Sequence, residues 1–223
     1  MERKNVDDAI GKSVLIEAVE SMTGADSIAP NHLGRGAEGV AMYVPPVPSA
    51  APGPAELALR QEVENLLFRQ AALLDAKRWQ DWMDLFTDDG VYWMPVEPGQ
   101  KDWLSEASIF AEDRLLMEIR MGRLTHPNAW SQAPMWGTNH LVGNVMVESA
   151  GTGRDQDIVV YSRFQMMELR RDAVRHFGGT YRHRLVRTGQ GLRIKLQRVD
   201  LMNGQAPYDY VLQAWVETSR RDG

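Results

Sequence analysis

Four stretches in the C-terminal half of the chain alternate apolar and polar residues, and this pattern constrains the fold more than any other. The first stretch covers 141–148, the second 158–167, the third 181–185 and the fourth 192–201. A period of two residues is typical of strands that bury one face of a sheet. Glycine-bearing turn signals at 151–155 and 188–191 separate the stretches. Strands joined by short turns pair antiparallel, so the pattern predicts an antiparallel sheet.

Two helical patterns precede these strands. Apolar residues over 59–74 fall on one side of a predicted helix, and aromatic residues recur at helical spacing over 79–86. Core packing, rather than a cofactor site, is the usual role of such an aromatic stripe. The sequence Asp-Asp-Gly at 88–90 is a turn signal, and the residues after it predict a short strand at 91–94.

A third helix is predicted over 111–124, and it leads into the first alternating strand. Its first residues include Glu112 and Asp113, and acidic groups suit the positive end of a helix dipole. A loop rich in Trp, Pro and Asn follows, and the strand then begins at His140. The predicted apolar positions of this helix are Leu115, Leu116, Ile119 and Leu124.

The order of these elements predicts the fold class. Helices that come before a run of adjacent long strands give an α+β fold, with the helices on one face of a strongly curved antiparallel sheet. In the last strand the apolar alternation shifts near Arg198, which predicts a bulge or bend at that residue.

The chain divides into an N-terminal extension, 1–55, and one domain, 56–223. Within the extension, 6–22 has the spacing of a short amphipathic helix, and PPVPSAAPGP at 45–54 is typical of an extended linker. Plain disorder and packing on a neighbouring subunit are both open interpretations of this extension.

The charge and the hydropathy pattern exclude some partners. The net charge of −5 argues against binding to nucleic acid, which needs a basic surface. No apolar run approaches the roughly 20 residues of a membrane span, and the first residues lack the apolar segment of a secretory signal. A cytoplasmic protein is therefore expected.

The chain contains no cysteine, which excludes several kinds of reactive centre. Disulfides, thiol nucleophiles, zinc–cysteine sites and iron–sulfur clusters with thiolate ligands all require that residue. The five histidines show no close helical spacing that would assemble a metal site. No metal and no cofactor are expected in this chain. The histidines are His32, His126, His140, His176 and His183.

Several stretches, in the same order along the chain, resemble the beta (small) subunits of bacterial aromatic-ring-hydroxylating dioxygenases, which are Rieske non-haem iron oxygenases. The resemblance covers about 62–216. The stretches that carry it are EVENLLFRQAALLDAKRWQDWMDLFTDDGVYWMPV, AEDRLLMEIRMGRL, AWSQAPMWGTNHLVGNVMV, SRF, FGGTYRHRLVR and GLRIKLQRVDLMN. Two features depart from the family: Asn139 precedes His140 where Arg is frequent, and the extension is unusually long.

The resemblance implies a cone-like fold of the nuclear-transport-factor-two (cystatin-like) type and a structural, non-catalytic role. In that family, catalytic alpha subunits carry the Rieske 2Fe–2S cluster and the mononuclear iron, and usually three alpha assemble with three beta subunits. Contacts between beta subunits are also implied. The complex dihydroxylates an aromatic ring in aromatic catabolism, using dioxygen and electrons that pass from NAD(P)H through a reductase or a ferredoxin.

The same fold also includes isomerases and dehydratases, and these give an alternative hypothesis. Asp113 and His140 are then the candidate acid/base pair, with His183 as a possible third member. General acid–base catalysis requires that such groups lie within hydrogen-bond reach of the reacting proton. For each histidine alone, a structural role is the more frequent one, and fold alone does not establish function.

Aromatic and arginine side chains supply the residue types that are enriched at subunit contacts. These residue types therefore predict a subunit interface, although arginines on an outward face are equally compatible with simple exposure to solvent. The candidate interface residues are Trp130, Trp136, Asn139, His140, Arg163 and Arg182.

Overall fold

The computed structural model of the chain describes residues 33–35, 41–43, 51–97, 99–124, 136–150, 157–170, 172–202 and 204. The helix predicted at 6–22 and most of the predicted linker lie outside these ranges. The helices are α1 (Pro54–Asp75), α2 (Trp79–Met83) and α3 (Arg114–Leu124). The strands are β1 (Leu33–Arg35), β2 (Ala41–Tyr43), β3 (Phe86–Pro95), β4 (Ser108–Glu112), β5 (Trp136–Ala150), β6 (Ile158–Arg170), β7 (Ala173–Thr188) and β8 (Gly191–Leu201).

Six strands form one curved sheet in the order β4-β3-β8-β7-β6-β5, and β1 pairs separately with β2. The predicted α+β fold is confirmed. One pair differs from the prediction, because β3 and β8 run parallel while the other pairs in this sheet are antiparallel. The connection from β3 to β8 contains four strands and a helix, and so it is long enough for a parallel crossover. No helix in the described ranges has both the length and the apolar character needed to cross a bilayer.

Helix α1 lies against the inner face of the sheet, where it contacts β5 and β8. It begins at Pro54, two residues before the predicted domain boundary, and proline is favoured in the first turn because that turn's N–H groups have no helical partner. The Gly53 N–H donates to the Glu56 carboxylate at 2.8 Å, which caps the helix. The start of the helix is thus encoded locally.

The second predicted helix is too long. Helix α2 ends at Met83, and Phe86 already belongs to β3. The predicted turn at 88–90 is an irregularity inside β3: Phe86 pairs with Ile194 and Val91 with Leu196, so that four residues of β3 stand opposite one residue of β8. The extra residues bend the strand, as a bulge does.

Helix α3 differs from the prediction both in its start and in its buried face. Glu112 ends β4, and the helix begins only at Arg114. The predicted apolar face was wrong for three of its four positions, because Leu115, Leu116 and Ile119 are exposed, whereas Leu124 packs against the core. The side that faces the protein instead carries Met117, Arg120 and Met121.

The strands also shift slightly from their predicted positions. Strand β5 begins at Trp136 rather than at His140. The register shift between β7 and β8 falls at Lys195 rather than at Arg198, because Arg184 pairs with Leu196 while Leu185 pairs with Ile194. The shift turns Gln197 toward the interior, where it is fully buried.

The two neighbouring glycines in β7 give a matched test of this packing. A Cβ at Gly179 would lie 2.1 Å from the Asp200 carbonyl oxygen and 3.0 Å from the Phe164 ring, whereas one at Gly178 would lie 3.5 Å from its nearest neighbour. We expect Gly179→Ala to lower the free energy of unfolding by about 1–3 kcal/mol, because backbone atoms must move.

Gly178→Ala is the control, and it should change the free energy of unfolding by about 0.5 kcal/mol or less. Urea unfolding of both variants measures the difference. Equal stability of the two variants would show that β8 does not approach Gly179 as closely as described.

Candidate functional site

The titratable pair at the junction of helix and sheet is Asp75 with His140, and not Asp113 with His140, the pair named in the alternative hypothesis. The Nδ1 atom of His140 lies 2.5 Å from Oδ1 of Asp75, and the side chain of His140 is 1% exposed. Asp75 also accepts hydrogen bonds from the His140 backbone N–H at 2.9 Å and from the Thr138 hydroxyl at 2.8 Å. The carboxylate at the end of α1 therefore holds the first part of β5.

These hydrogen bonds control the ionisation of Asp75. Burial alone would raise the pKa of the Asp75 carboxyl, but hydrogen bonds from the side chain and backbone of His140, with a further bond from Thr138, outweigh it. The pKa of Asp75 is therefore below its usual value. A carboxylate that accepts three hydrogen bonds is stabilised in its charged form and is a weak base.

The turn after α1 strengthens the same junction. The N–H of Lys77 donates to the Leu74 carbonyl at 2.9 Å and the N–H of Arg78 to the Leu73 carbonyl at 2.8 Å, which is a Schellman motif. Its left-handed position is Lys77, with φ of 56°, where glycine is the usual residue. The Lys77 side chain donates to the Trp136 carbonyl and lies 4.2 Å from the centre of the Trp136 ring. These contacts explain a non-glycine residue at this position.

Asp113 and Glu112 have structural roles at the start of α3. Asp113 is exposed, and its Oδ1 accepts the Leu116 N–H at 2.9 Å, as a helix N-cap does. Glu112 is buried and accepts Nε of Arg120 at 2.7 Å. Burial lowers the pKa of Arg120, and the attraction of Glu112 acts against that shift. Asp113 is therefore the cap of the helix, and Glu112 forms an ion pair with Arg120.

His183 lies in the core rather than beside the other two candidates. It is 0% exposed, and its Nε2 atom is 3.2 Å from Oε1 of Gln70. The Gln70 amide donates to Oε1 of Gln197 at 2.6 Å, which joins α1 to β7 and β8. Burial lowers the pKa of His183 to about 3. His183 is therefore neutral at physiological pH and acts as a structural hydrogen-bonding group.

The inner face of the sheet leaves little room for a ligand beside Tyr181. An apolar cavity there has a volume of about 10 Å³, which holds at most one water molecule. An aromatic substrate needs a few hundred Å³. Within the described part of the chain, no group of three His, Asp or Glu side chains is placed to hold a metal ion. The residues that line the cavity are Met94, Phe164, Met166, Phe177, Tyr181, Val199 and Leu201.

The candidate interface residues have different environments. Asn139 and Arg163 are exposed, whereas Trp136 is half-buried and stacks on Trp79 with the ring centres 6.3 Å apart. Arg182 is also half-buried, and its guanidinium lies 5.6 Å from the centre of the Tyr161 ring. Trp130 lies outside the described residues. That these residues form a subunit interface stays a prediction.

Sequence reasoning missed Asp75, Gln70 and Gln197. Gln70 had a usable signal, since it lies three residues after Leu67 and four before Leu74 and so falls on the apolar side of α1. Gln197 became an inward residue only through the shift at Lys195. No local pattern marks Asp75, because its partners are more than 60 residues away in the sequence.

Replacing Asp75 with asparagine should lower the free energy of unfolding at pH 7 by about 1–3 kcal/mol, because charge-assisted hydrogen bonds to β5 are lost. Folding lowers the pKa of Asp75, so the carboxylate contributes to the free energy of unfolding at neutral pH, and this contribution is lost as the pH falls through the lowered pKa. The difference in the free energy of unfolding between wild type and variant should therefore become smaller at pH values below 3.8, the usual pKa of this carboxyl.

Asp81→Asn is the control, since Asp81 forms an exposed ion pair with Arg78, and such pairs contribute little. Chemical unfolding at pH 7 and at stepwise lower pH measures both effects. If Asp75→Asn were no more destabilising than Asp81→Asn, the junction would not depend on the carboxylate.

His183 should make the stability of the fold depend on pH in a second range. Folding lowers the pKa of His183, so the neutral ring contributes fully to the free energy of unfolding above pH 6.5, its usual pKa. This contribution decreases as the pH falls toward the lowered pKa of about 3. The free energy of unfolding should fall by roughly 2 kcal/mol between pH 7 and pH 5 from this group. His183→Gln should remove that part of the slope, measured by urea unfolding at several pH values. An identical slope in the variant would contradict the assignment.

The comparisons with known proteins agree with one another. The sequence profile of the family described as ring hydroxylating beta subunit matches residues 69–206. The small oxygenase component of the p-cumate 2,3-dioxygenase system of Pseudomonas putida is 32% identical over 65% of this chain and 79% of that protein. The beta subunit of biphenyl 2,3-dioxygenase from Rhodococcus jostii is 31% identical, but the match covers only 43% of this chain and 56% of that protein.

Solved structures lead to the same family. The beta subunit of benzoate 1,2-dioxygenase from Burkholderia mallei has a TM-score of 0.54 and 26% identity, over 64% of this chain and 90% of that one. The profile match includes α2, α3 and all six strands of the large sheet. This chain belongs to the family of ring-hydroxylating beta subunits.

Proposed function

We propose that this chain is the structural, non-catalytic subunit of the oxygenase component of an aromatic-ring-hydroxylating dioxygenase. The observation that carries the proposal is the family match over 69–206, which includes every strand of the large sheet. The sequence adds independent support, since a chain without cysteine cannot supply the thiolate ligands of a Rieske cluster. The redox centres of such a system then belong to another chain.

That other chain is the catalytic large subunit, which holds the Rieske cluster and the mononuclear iron. The relatives support this partner by their names, as one is a small oxygenase component of a dioxygenase system. We propose three large and three small subunits, with electrons that reach the iron from NAD(P)H through a ferredoxin or a reductase. The complex is proposed to act in the cytoplasm on an aromatic compound.

An autonomous isomerase or dehydratase is the other candidate function. The observation in its favour is the partly buried pair of Asp75 and His140, which is an acid and a base in contact. Against it, the hydrogen bonds to Asp75 stabilise the carboxylate, and the cavity beside Tyr181 admits no substrate. The proposal of a structural subunit accounts for both facts.

Co-expression with a large oxygenase subunit of such a system tests the proposal. We expect a stable complex in which iron and labile sulfide follow the large subunit, and in which the isolated small chain has no turnover. Asp113→Asn, which changes only an exposed helix cap, should leave the ring hydroxylation of the complex unchanged. Turnover by the isolated chain, or the absence of any complex with the large subunit, would contradict the proposal.

A further inference from the structure

Helix α3 exposes apolar side chains on the side that faces away from the core. Leu115 is 63% exposed, and Leu116 and Ile119 are 46% and 47% exposed. Their positions at i, i+1 and i+4 place them next to each other on one side of the helix. We call these three residues the α3 stripe. Since Met117 and Met121 fill the buried side, α3 is apolar on two sides, and within the described residues only one of them is packed.

The shape of the α3 stripe suits another helix. Gly122 follows Ile119 by three residues, so it lies on the same side, and a Cβ added there would meet no atom within 4 Å. Helix axes pack at about 8–10 Å, and small side chains at the contact favour the shorter distances. A narrow apolar stripe that ends at a glycine is therefore a surface on which an amphipathic helix can lie closely.

A segment in the N-terminal extension of the same chain has the matching pattern. Residues 6–22 place apolar side chains at intervals of three and four, which predicts a helix with one apolar side. The extension precedes the residues that the family profile matches, 69–206, so membership of the family does not explain its presence. The apolar positions of the segment are Ile10, Val14, Leu15, Ala18, Val19 and Met22.

The charges distinguish α3 from the other helix with exposed apolar residues. Segment 6–22 contains four acidic residues and one lysine, whereas α3 contains three arginines and one glutamate. Arg123 is exposed at the end of the α3 stripe. Helix α1 also exposes apolar residues, Leu57 and Phe68, but it contains four acidic residues and two arginines. Charge complementarity therefore favours α3 as the position of the acidic segment.

The chain between segment 6–22 and α1 is long enough to reach the α3 stripe. Strands β1 and β2 pair with Leu33 opposite Tyr43, so the two ends of this pair lie side by side. The remaining residues, 23–32 and 44–53, span up to roughly 65 Å when extended. Helix α1 is about 33 Å long, and α2 follows it directly. Helix α3 begins beside α2, where Arg114 donates to the Met83 carbonyl at 2.8 Å.

We propose that segment 6–22 binds as a helix along the α3 stripe of its own chain. Its apolar positions pack against Leu115, Leu116 and Ile119, and its acidic residues lie near Arg123. A tethered segment is present at an effective concentration on the order of millimolar, so even a weak contact keeps it bound. The proposal concerns the chain by itself, and it does not depend on the proposed assembly with a large subunit.

Cross-linking between introduced cysteines tests the proposal in the full chain, which has no cysteine of its own. We expect a short bis-maleimide to link Ala18→Cys with Leu116→Cys within one chain at least tenfold faster than Ala18→Cys with Leu57→Cys. Leu57 is the matched control, because it is a leucine of similar exposure and lies closer to the tether at Pro54. Random encounters of a tethered segment would favour Leu57. Mass spectrometry of the digested monomer identifies the linked residues.

A substitution in the segment tests the apolar contact. Val14→Glu should abolish the preference for Leu116, because it places a charge on the apolar side of the segment. Ser13→Glu adds the same charge one residue away, off that side, and should leave the preference unchanged. Circular dichroism and thermal unfolding should show that all variants remain folded. Equal cross-linking of Leu116 and Leu57, or links that form only between two chains, would overturn the proposal.

The large subunit is the alternative occupant of the α3 stripe, and its binding separates the two interpretations. If Leu116→Glu abolished binding of the large subunit while Ala18→Cys showed no preference for Leu116→Cys, the stripe would belong to that partner and the proposal would be wrong. If no large subunit bound the wild-type chain, the proposed function would fail, whereas the cross-linking result would still decide where segment 6–22 binds.

Discussion

The inner face of the sheet is filled by side chains of the protein itself, and this packing determines most of what the chain can do. A strongly curved sheet encloses a space that must either hold a ligand or be occupied by residues. Here Trp82 and Tyr92 are fully buried in that space, and Leu67 of α1 reaches it from the helical side. Trp82 packs edge-on against Tyr92 with the ring centres 5.9 Å apart. Among the described residues, the cavity that this packing leaves beside Tyr181 holds at most one water molecule.

Polar groups inside this packing hold α1 at two places. Five residues before the end of the helix, Gln70 bonds to Gln197 in β8 and to His183 in β7, and at the end of the helix Asp75 bonds to β5. Apolar contacts alone tolerate small shifts of a helix along a sheet, whereas buried hydrogen bonds are satisfied in one register only. Each such group is costly to bury without its partner. The position of α1 therefore depends on a few specific bonds as well as on burial.

The parts of the fold that local patterns encode could be predicted from the sequence. The period-two strands and the course of α1 follow from residue spacing, and so does the turn between β7 and β8. The errors occurred where a distant contact overrides a local pattern. Phe86 continues the helical spacing of α2, yet its pairing with Ile194 draws it into β3. The leucines of α3 suggested the wrong buried face, because the buried pair of Arg120 and Glu112 turns Met117 and Met121 inward.

The candidate site shows even more clearly that local sequence patterns do not predict distant contacts. The sequence could identify His140 as a candidate, because histidine is rare and chemically informative. It could not identify Asp75 as the partner of His140. Spacing along the chain says nothing about which carboxylate meets a strand residue from the end of a helix. Asp113 was the candidate because enzymes of the resembled fold use an Asp/His pair, but in this chain it is the cap of α3. The correct partner required the path of α1 across the sheet.

These contacts also fit a structural subunit better than an enzyme that uses an acid/base pair. Catalysis by an acid/base pair requires a carboxylate with free lone pairs, a titratable ring near neutral pH and space for the reacting molecule. In this chain the carboxylate of Asp75 is engaged by β5, the ring of His183 is held neutral, and Trp82 and Tyr92 fill the space. The apolar groups that an enzyme of this shape would present to a substrate are used here in packing.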